Sequence, residues 1–284
     1  MKKVIAFVKS LLRVLFFLLL VVFIRMFVFE VCYIPSNSME DTIMAGDRLV
    51  IGKLRYGGLL PRRIADVPLI NILTLSKYLR ENDRCRDWGY GRAPALISIK
   101  RGDVIVFNYP KEAHVRMVKR CVALPGDTIR IEKGLVFINR RRIEFPATVI
   151  LPEPQDKGNM MDFPCKSLGW TSNDYGPVAV PSKGMTITLD STSLELYRNM
   201  IRIEGHEAFI WESEIYIDGV KATGYTFKTD GYFALGDNRG NSLDSRYWGI
   251  ISERLIIGKA ALVYFSRDAT MKKVRWKRIG KVLE

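Results

Sequence analysis

A chain of 284 residues with 48% apolar side chains can bury at least one full core and is near the size at which a second lobe appears. Its formal net charge of +14 suggests a nucleic-acid partner, but the basic residues are scattered along the sequence. We therefore expect no nucleic-acid partner and assign the charge to anionic lipid headgroups. The apolar residues are unevenly distributed, and a long N-terminal run contains many of them.

Residues 4–24 form the first predicted element, an apolar helix. Crossing a bilayer takes about 20 mostly apolar residues. This run qualifies when Lys9 and Arg13 lie at one interface and Arg25 at the other. A cleaved signal peptide is the alternative, but it needs small residues at the cut site, whereas this run exits through RMFVFEVCYIP. We expect an uncleaved anchor with a cytoplasmic N-terminus and everything after residue 30 outside.

After the anchor, short β-type runs bounded by Gly, Pro and Asp dominate the sequence. Examples are DRLVIGKL, GDVIVFNYP, VRMVKRCVAL and GYFALGD. IEKGLVFINRRRI predicts two hairpins in series, with turns at EKG and NRR. Many short strands joined by tight turns predict a mainly β, antiparallel domain behind one transmembrane helix.

Two irregular stretches interrupt this pattern. Residues 57–98 contain GGLLPRR and the apolar segment VPLINILTLSKYLREN, which predicts a short helix, and we interpret them as an insertion. Residues 146–185 are rich in Pro, Asp and Gly, and they lead into STSLELYRNMIRIEGHE, which predicts a helix followed by a strand.

Ser38, in YIPSNSMEDT, is the first candidate for chemistry. A serine hydroxyl is a poor nucleophile until a neighbouring base removes its proton. His114 and His206 are the only histidines, and neither lies beside an Asp-bearing motif. A Ser/His hydrolase that combines one of them with Asp244 stays an alternative.

Lys119 is the other candidate base. Alternation along a strand places Lys119 on one face with Met117, Cys121 and Ala123, and a desolvated lysine favours its neutral form. The competing interpretation is an edge-strand lysine whose stem covers the apolar face while its amine lies in water. The pattern alone does not decide between them.

A polar segment, GDNRGNSLDSRYWG at residues 236–249, follows the strand GYFALGD and is called the closing loop here. Its hydrogen-bonding side chains are too many for a strand. Ser242 is placed to orient an amine, and Asp244 with Arg246 to clamp the loop internally. For Asp237 and Asn238 we expect a role in a structural turn.

Four segments in chain order carry a resemblance to a known family: IPSNSMEDTI, RGDVIVF, VKRCVALPGD and GDNRGNSLDSRYWG. With the preceding anchor they resemble the boxes of bacterial type I signal peptidases, also called leader peptidases, which are membrane-anchored Ser/Lys proteases. The resemblance implies an antiparallel β catalytic core with a second, variable β lobe. It also implies cleavage of signal peptides from exported preproteins, without metal or cofactor. The implied location is the inner (cytoplasmic) membrane, with the catalytic domain on the periplasmic side.

The resemblance divides the chain into four parts. The first is the cytoplasmic N-terminus with the anchor (1–30), and the second is the first part of the catalytic core (31–145), interrupted at about 57–98. The variable lobe (146–230) follows, and the closing part of the core with a basic C-terminal tail (231–284) completes the chain.

The roles that the resemblance implies follow from motif position. Ser38 would be the nucleophile and Lys119 the general base, while the Ser36 hydroxyl and the Ser38 backbone N–H would stabilise the oxyanion. The implied supporting residues of the closing loop are Ser242, Asp244 and Arg246. An extended substrate would lie beside residues 32–36. We expect shallow pockets for small side chains, lined by Ile34, Pro35, Met39, Ile43, Met117 and Val118.

Three residues depart from the family pattern. Asp41 stands where the family usually has proline, Gly240 where it has aspartate, and Ala123 where it has glycine. These departures are expected to affect the rigidity of the turn and the contacts that hold the closing loop. Asp41 also adds a carboxylate that is expected to influence the pH profile of activity. Cys85 and Cys165 are candidates for a disulfide. A non-catalytic alternative also stays open, in which a membrane-tethered β domain presents its basic surface to a partner or to lipid.

Overall fold

The structure of the protein is a computed structural model that describes residues 2–62, 66–67, 88–112, 115–152, 168–268 and 270–283. Over these residues the chain is mainly β, and its named strands pair in antiparallel fashion. The N-terminal part is a single long apolar helix. The predicted fold class is therefore confirmed.

Helix α1 spans Lys2–Phe23 and continues into a π-helical turn, Ile24–Val28, that leads directly into strand β1, Phe29–Tyr33. The segment Lys2–Val28 is long and apolar enough to cross a membrane, and none of its apolar window is buried against the rest of the chain. A 22-residue α-helix is about 33 Å long, which matches the hydrocarbon thickness of a bilayer. The exposed apolar surface of α1 is the property expected of an anchor.

The large sheet has seven strands in the order β1-β2-β16-β3-β4-β14-β15. Its remaining members are β2 (Asp47–Gly52), β3 (Val104–Asn108), β4 (Arg116–Ala123), β14 (Gly231–Leu235), β15 (Ile251–Ser252) and β16 (Ile256–Ser266). Strand β1 lies at one edge, whereas β4 is an interior strand between β3 and β14. This interior position of β4 differs from the edge-strand alternative considered for Lys119.

Both faces of the large sheet are covered at β3. Val104 and Val106 belong to one buried cluster, whereas Ile105 and Phe107 belong to another that includes Trp248. Successive side chains point to opposite faces of a strand, so the two clusters lie on opposite sides of the sheet. This explains why β3 is a continuous apolar run rather than an alternating one.

The second lobe consists of three smaller sheets and a helix. Its four-stranded sheet contains β5 (Thr128–Glu132), β6 (Leu135–Ile138), β7 (Arg141–Arg142) and β8 (Tyr175–Ala179). The other strands are β9 (Thr186–Thr188) with β13 (Gly224–Thr226), and β10 (Ala208–Trp211), β11 (Glu214–Ile217) and β12 (Val220–Lys221). Helix α2, Ser191–Ile203, begins with a capping box at Asp190 and buries one apolar face.

The two hairpins predicted from IEKGLVFINRRRI are present as β5-β6-β7. Lys133, Asn139 and Arg140 adopt the positive φ angles that tight hairpin turns require. The predicted boundary at 145/146 falls inside the four-stranded sheet, since β5 to β7 come before it and β8 after it. Strand β5, before this boundary, pairs with β8, after it. The division of the chain into domains stays a prediction.

The helix and strand predicted from STSLELYRNMIRIEGHE correspond to α2 and β10. In the predicted insertion, Arg92 donates hydrogen bonds to the carbonyls of Tyr56, Gly57 and Glu253 at 2.7 to 3.0 Å, which ties this segment to the large sheet. The short helix predicted within residues 67–82 lies almost wholly outside the described residues. Cys85 and Cys165 also lie outside them, and Cys32 and Cys121 are free thiols.

Candidate active site

Ser38 lies on the loop between β1 and β2, residues 34–46, which is called the nucleophile loop here after the role predicted for Ser38. Backbone hydrogen bonds close the base of this loop, from Ile34 to the Asp47 carbonyl at 2.9 Å and from Gly46 to the Ile34 carbonyl at 2.8 Å. Met39 and Ile43 fix the loop from within, since their side chains are only 1% and 0% exposed and pack in the core. Ser38 itself is half-buried.

Lys119 projects from the interior strand β4 to Ser38, and its Nζ lies 2.5 Å from the Ser38 Oγ. The lysine is only 2% exposed. Burial lowers the pKa of Lys119 to about 8, with the Arg246 charge adding to the effect and the Asp244 and Asp237 charges opposing it. A neutral amine is therefore accessible near neutral pH. Of the two interpretations that the sequence pattern left open, the burial of Lys119 agrees with the desolvated base.

Ser36 lies beside the pair, with its hydroxyl 3.4 Å from the Ser38 hydroxyl. It is exposed to solvent, in contrast to Lys119. The two hydroxyls therefore lie on the same side of the loop.

Ser242 is buried close to the nucleophile loop, but its predicted hydrogen bond to the lysine amine is not formed. Among the described residues the Ser242 Oγ has no hydrogen-bond partner. Its position depends on Gly236, where a Cβ atom would lie 2.1 Å from the Ser242 Oγ and 2.5 Å from the Ser38 carbonyl oxygen. Sequence reasoning did not single out Gly236, whose role is to leave room for two serine-bearing segments to meet.

The predicted clamp within the closing loop is present. Arg246 binds the Asp244 carboxylate through its Nε and Nη2, both at 2.8 Å, and both side chains are buried. Burial alone would raise the pKa of Asp244, but the Arg246 charge and hydrogen bonds hold it below its ordinary value. Asp244 also accepts a hydrogen bond from the Gly236 N–H at 3.0 Å, and Arg246 donates to the Ser172 carbonyl at 2.9 Å. The clamp thus connects the closing loop to the second lobe.

A second buried ion pair was missed in the sequence. Arg120, next to Lys119, binds Asp237 at 2.9 Å (Nε to Oδ1) and 2.7 Å (Nη2 to Oδ2). Thr42, in the nucleophile loop, donates to the same carboxylate at 2.6 Å. An arginine within a buried strand needs an acidic partner, and this was the available signal. Asp237 thus bridges the nucleophile loop and β4, in addition to forming the expected turn.

The closing loop and the nucleophile loop are also joined through the backbone. The Asn238 N–H donates to the Ser38 carbonyl at 3.1 Å, and the Asn238 side chain donates to Glu40 at 3.1 Å. The position of Ser38 is therefore fixed on one side by residues 236–238.

The six predicted pocket residues differ in accessibility. Pro35 is exposed and Met117 is half-buried, while Ile34 and Val118 keep 7% and 8% exposure. Met39 and Ile43 are core residues in this structure, because the loop turns their side chains inward. A contribution of Met39 or Ile43 to substrate binding would act through packing of the loop. The assignment of these pockets stays a prediction.

The histidines do not join the site as far as the structure describes them. His206 contacts Asp218 at 2.5 Å and Lys228 at 2.6 Å in the second lobe, rather than Asp244. His114 lies outside the described residues. The histidine alternative therefore gains no support from His206.

The three departures from the family pattern have different surroundings. Asp41 has a φ of 68°, which a proline ring cannot adopt. Gly240 has open space where a Cβ would stand, and Ala123 is fully buried. The carboxylates of Asp244 and Asp237 favour the charged form of Lys119. The influence of Asp41 on the pH profile stays a prediction.

Sequence comparison identifies the family. Residues 7–265 match the family described as signal peptidase, peptidase S26. This chain belongs to that family.

Two relatives illustrate the match, and both are named signal peptidase I. The protein from Helicobacter pylori strain J99 is 29% identical over 306 residues, covering 100% of this chain and 94% of the relative. The protein from Pseudomonas aeruginosa is 29% identical over 269 residues, covering 91% and 71%. A crystal structure of a signal peptidase I from Enterococcus faecalis, 19% identical, covers 58% of this chain and 98% of that one with a TM-score of 0.27.

Membership in the family makes this chain a hydrolase that cleaves signal peptides, as the sequence resemblance indicated. The apolar helix α1 fits a membrane-anchored protein. The non-catalytic alternative is thereby overturned.

Proposed function

We propose that the protein cleaves signal peptides with a dyad of Ser38 and Lys119, through an acyl-enzyme. The observation that carries the proposal is the 2.5 Å approach of the Nζ of the buried Lys119 to the Ser38 Oγ. A lysine whose pKa is lowered to about 8 is neutral often enough to accept the serine proton.

The reaction proceeds in two halves. Neutral Lys119 takes the proton from the Ser38 hydroxyl as the oxygen attacks the scissile carbonyl. The resulting ammonium then returns the proton to the leaving amine, and the C–N bond breaks. Lys119, neutral again, deprotonates a water molecule that attacks the carbonyl of the Ser38 ester. The Lys119 ammonium then returns this proton to the Ser38 oxygen as the ester C–O bond breaks. The Ser36 hydroxyl and the Ser38 backbone N–H stabilise the negative oxygen in both halves.

The substrate binds in extended form along the loop side of β1. Pro35, three residues before Ser38, is exposed, and Met117, two residues before Lys119, is half-buried, which supports a shallow surface there. Pockets of this kind accept only small side chains at the positions one and three before the cut. Backbone pairing with residues 32–36 supplies affinity without requiring a defined substrate sequence.

The bilayer is the second partner. The anchor ends at Val28 and Ser38 follows ten residues later, so the site lies near the membrane surface. Phe29, Val31 and Tyr33 are exposed on one side of β1 and continue the apolar surface of the anchor. Basic residues before the anchor favour a cytoplasmic N-terminus in the inner membrane, with the site on the periplasmic side.

Single substitutions test the dyad in a preprotein cleavage assay. We expect Ser38→Ala to abolish cleavage and Lys119→Ala to lower kcat by about 10²- to 10⁴-fold, the usual contribution of a general base. His114→Ala and His206→Ala should cleave at the rate of the unmodified protein. In the unmodified protein, kcat/KM should rise with pH up to about 8 and then level off. Full activity without Lys119 would refute the dyad.

A further inference from the structure

The last basic stretch of the chain does not extend into solvent. We call residues 270–283 the C-terminal strap. It runs back along β16, with hydrogen bonds from Val263 to the Lys281 carbonyl at 2.9 Å and from Gly280 to the Val263 carbonyl at 2.8 Å. Leu283 closes it with a hydrogen bond to the Ala261 carbonyl at 2.9 Å. The strap is therefore part of the large-sheet lobe.

Its cations divide into two groups. Lys272, Lys273 and Lys277 are exposed together with Trp276, which is 75% exposed and suits the lipid contact expected of this stretch. The side chains of the other group point inward, to the loop that carries Ser38.

Lys281 reaches the nucleophile loop directly. Its Nζ donates to the Asp41 carbonyl at 3.0 Å and to the Thr42 carbonyl at 3.1 Å. Arg278 donates to the same Thr42 carbonyl at 3.1 Å and forms an ion pair with the buried Asp47 at 2.6 Å. Both cations thus contact the backbone three to four residues beyond Ser38.

The loop needs these donors because of its conformation. Asp41 is in the left-handed region, with φ at 68°, within the turn at residues 38–42. Within the described residues, no backbone N–H donates to the carbonyls of Asp41 and Thr42. Charged side chains satisfy these carbonyls instead, and such hydrogen bonds are stronger than neutral ones.

Two further contacts extend this support along the loop. Arg275 donates to the Ala45 carbonyl at 2.9 Å. Leu283 is buried in the same core cluster as Met39 and Ile43. The strap therefore supports the loop by hydrogen bonds and by packing. Among the described residues, its hydrogen bonds overlap with those of the closing loop only at Thr42, whose hydroxyl donates to Asp237 while its carbonyl accepts from the strap.

We propose that Lys281 and Arg278 are positioning residues for the cleavage reaction, which hold the Ser38 loop in register with the Lys119 amine. The inference rests on the proposed Ser38 and Lys119 dyad. Residues 236–238 hold the loop through Ser38, Glu40 and the Thr42 hydroxyl, while the strap holds it through the backbone carbonyls of residues 41, 42 and 45. A nucleophile displaced by about 1 Å from its base loses a large part of its rate, so the loop needs both supports.

Lys281→Met is the most informative variant. It keeps the aliphatic stem and removes the donors, whereas Arg278→Met would also leave the buried Asp47 without its ion pair. In the full-length protein with a preprotein-derived peptide, we expect kcat to fall about tenfold while KM stays within twofold, because the lost contacts orient the nucleophile and do not touch substrate. Lys281→Arg should recover most of kcat, since a guanidinium also donates to two carbonyls.

Lys277→Met is the matched control, because it removes one charge from an exposed position of the same strap. A serine-directed acylating inhibitor adds a second readout. We expect Lys281→Met to react about tenfold more slowly at Ser38 but to the same final stoichiometry. A fall in the final stoichiometry at an unchanged rate would mean a misfolded fraction and would overturn the proposal. Unchanged kcat, or an equal loss in Lys277→Met, would also overturn it.

Ser38→Ala in the same assay separates the two proposals. If Ser38→Ala is inactive and Lys281→Met cleaves normally, the positioning role fails and the dyad stands. If Ser38→Ala cleaves normally, the dyad itself fails.

Discussion

The buried amine of Lys119 destabilises the folded protein for as long as it is charged. Its pKa falls from 10.5 to about 8 on folding, because burial disfavours the ammonium form. The unfolded chain therefore binds more protons between these two values, and the free energy of unfolding rises with pH across that interval. Below about pH 8 the full penalty applies, on the order of 3 kcal/mol at 1.36 kcal/mol per pKa unit.

We therefore predict that Lys119→Met is inactive but more stable than the unmodified protein. At pH 7 the gain in unfolding free energy should be about 3 kcal/mol, and it should shrink as the pH rises from 8 to 10.5. Denaturant titration at several pH values measures the difference, with the exposed Lys277→Met as control. A gain that did not change with pH would contradict this origin of the effect.

A second prediction concerns Gly236. Gly236→Ala places a Cβ 2.1 Å from the Ser242 Oγ and 2.5 Å from the Ser38 carbonyl, so the two loops must separate. We expect kcat to fall by at least about tenfold and the unfolding free energy to drop by about 1 to 3 kcal/mol, as for other overpacked sites.

Gly240→Ala, on the same closing loop, is the matched control for Gly236→Ala. A Cβ at Gly240 meets no atom within 4 Å, so activity and melting temperature should stay unchanged. Equal effects of the two substitutions would rule out the steric explanation.

At the scale of the elements, the buried clamp of the closing loop should contribute more than surface ion pairs do. Arg246→Met leaves the Asp244 carboxylate buried without its partner, and we expect a loss of about 3 to 5 kcal/mol in unfolding free energy. Arg130, which pairs with Glu132 on an exposed hairpin, provides the comparison, and Arg130→Met should cost less than about 1 kcal/mol.

The double variant Asp244→Asn/Arg246→Met examines the cause of the Arg246 effect. If the uncompensated charge dominates, the double variant should recover part of the stability lost in Arg246→Met. No recovery would mean that the lost contacts of Arg246 with the carbonyls of Ser172 and Arg239 matter more. Thermal and chemical denaturation distinguish these outcomes.

The sequence predicted the elements whose causes are local. The anchor, the β5-β6-β7 hairpins and α2 all follow from periodicity, turn residues or caps within a few positions of the chain. The Lys119 environment was predictable in part, because Met117 and Cys121, which share its face of β4, are apolar. The sequence could not show whether β4 is an edge strand or an interior strand. That depends on β14, which pairs with β4 from far along the chain.

The contacts that hold the candidate site in place could not be predicted from residues that are neighbours in the sequence. Arg120 and Asp237 are 117 residues apart, and Lys281 reaches Asp41 over 240 residues. Their pairing is decided by the topology of the sheet rather than by their neighbours in the chain. The family resemblance implied a hydrogen bond between Ser242 and the Lys119 amine, but the structure does not contain it. The Ser242 side chain packs against Gly236 without a polar partner.

For the whole molecule, orientation in the membrane gives the main prediction. In a variant without cysteines, Lys277→Cys on the exposed side of the strap should react with a membrane-impermeant maleimide in intact spheroplasts. Lys3→Cys, before the anchor, should react only after the membrane is permeabilised, because basic residues stay on the cytoplasmic side. The opposite pattern would refute the proposed topology.

The positive φ of Asp41 has a consequence for protein engineering. Replacing unusual residues by the commonest residue of a family is a standard way to stabilise proteins. At Asp41 that approach would introduce proline, whose ring holds φ near about −65° and excludes the value of 68° found here. We expect Asp41→Pro to move the carbonyls that Lys281 binds and to lower activity, as a cleavage assay would show. A family average therefore does not transfer to this chain, because the strap and the turn are adapted to each other.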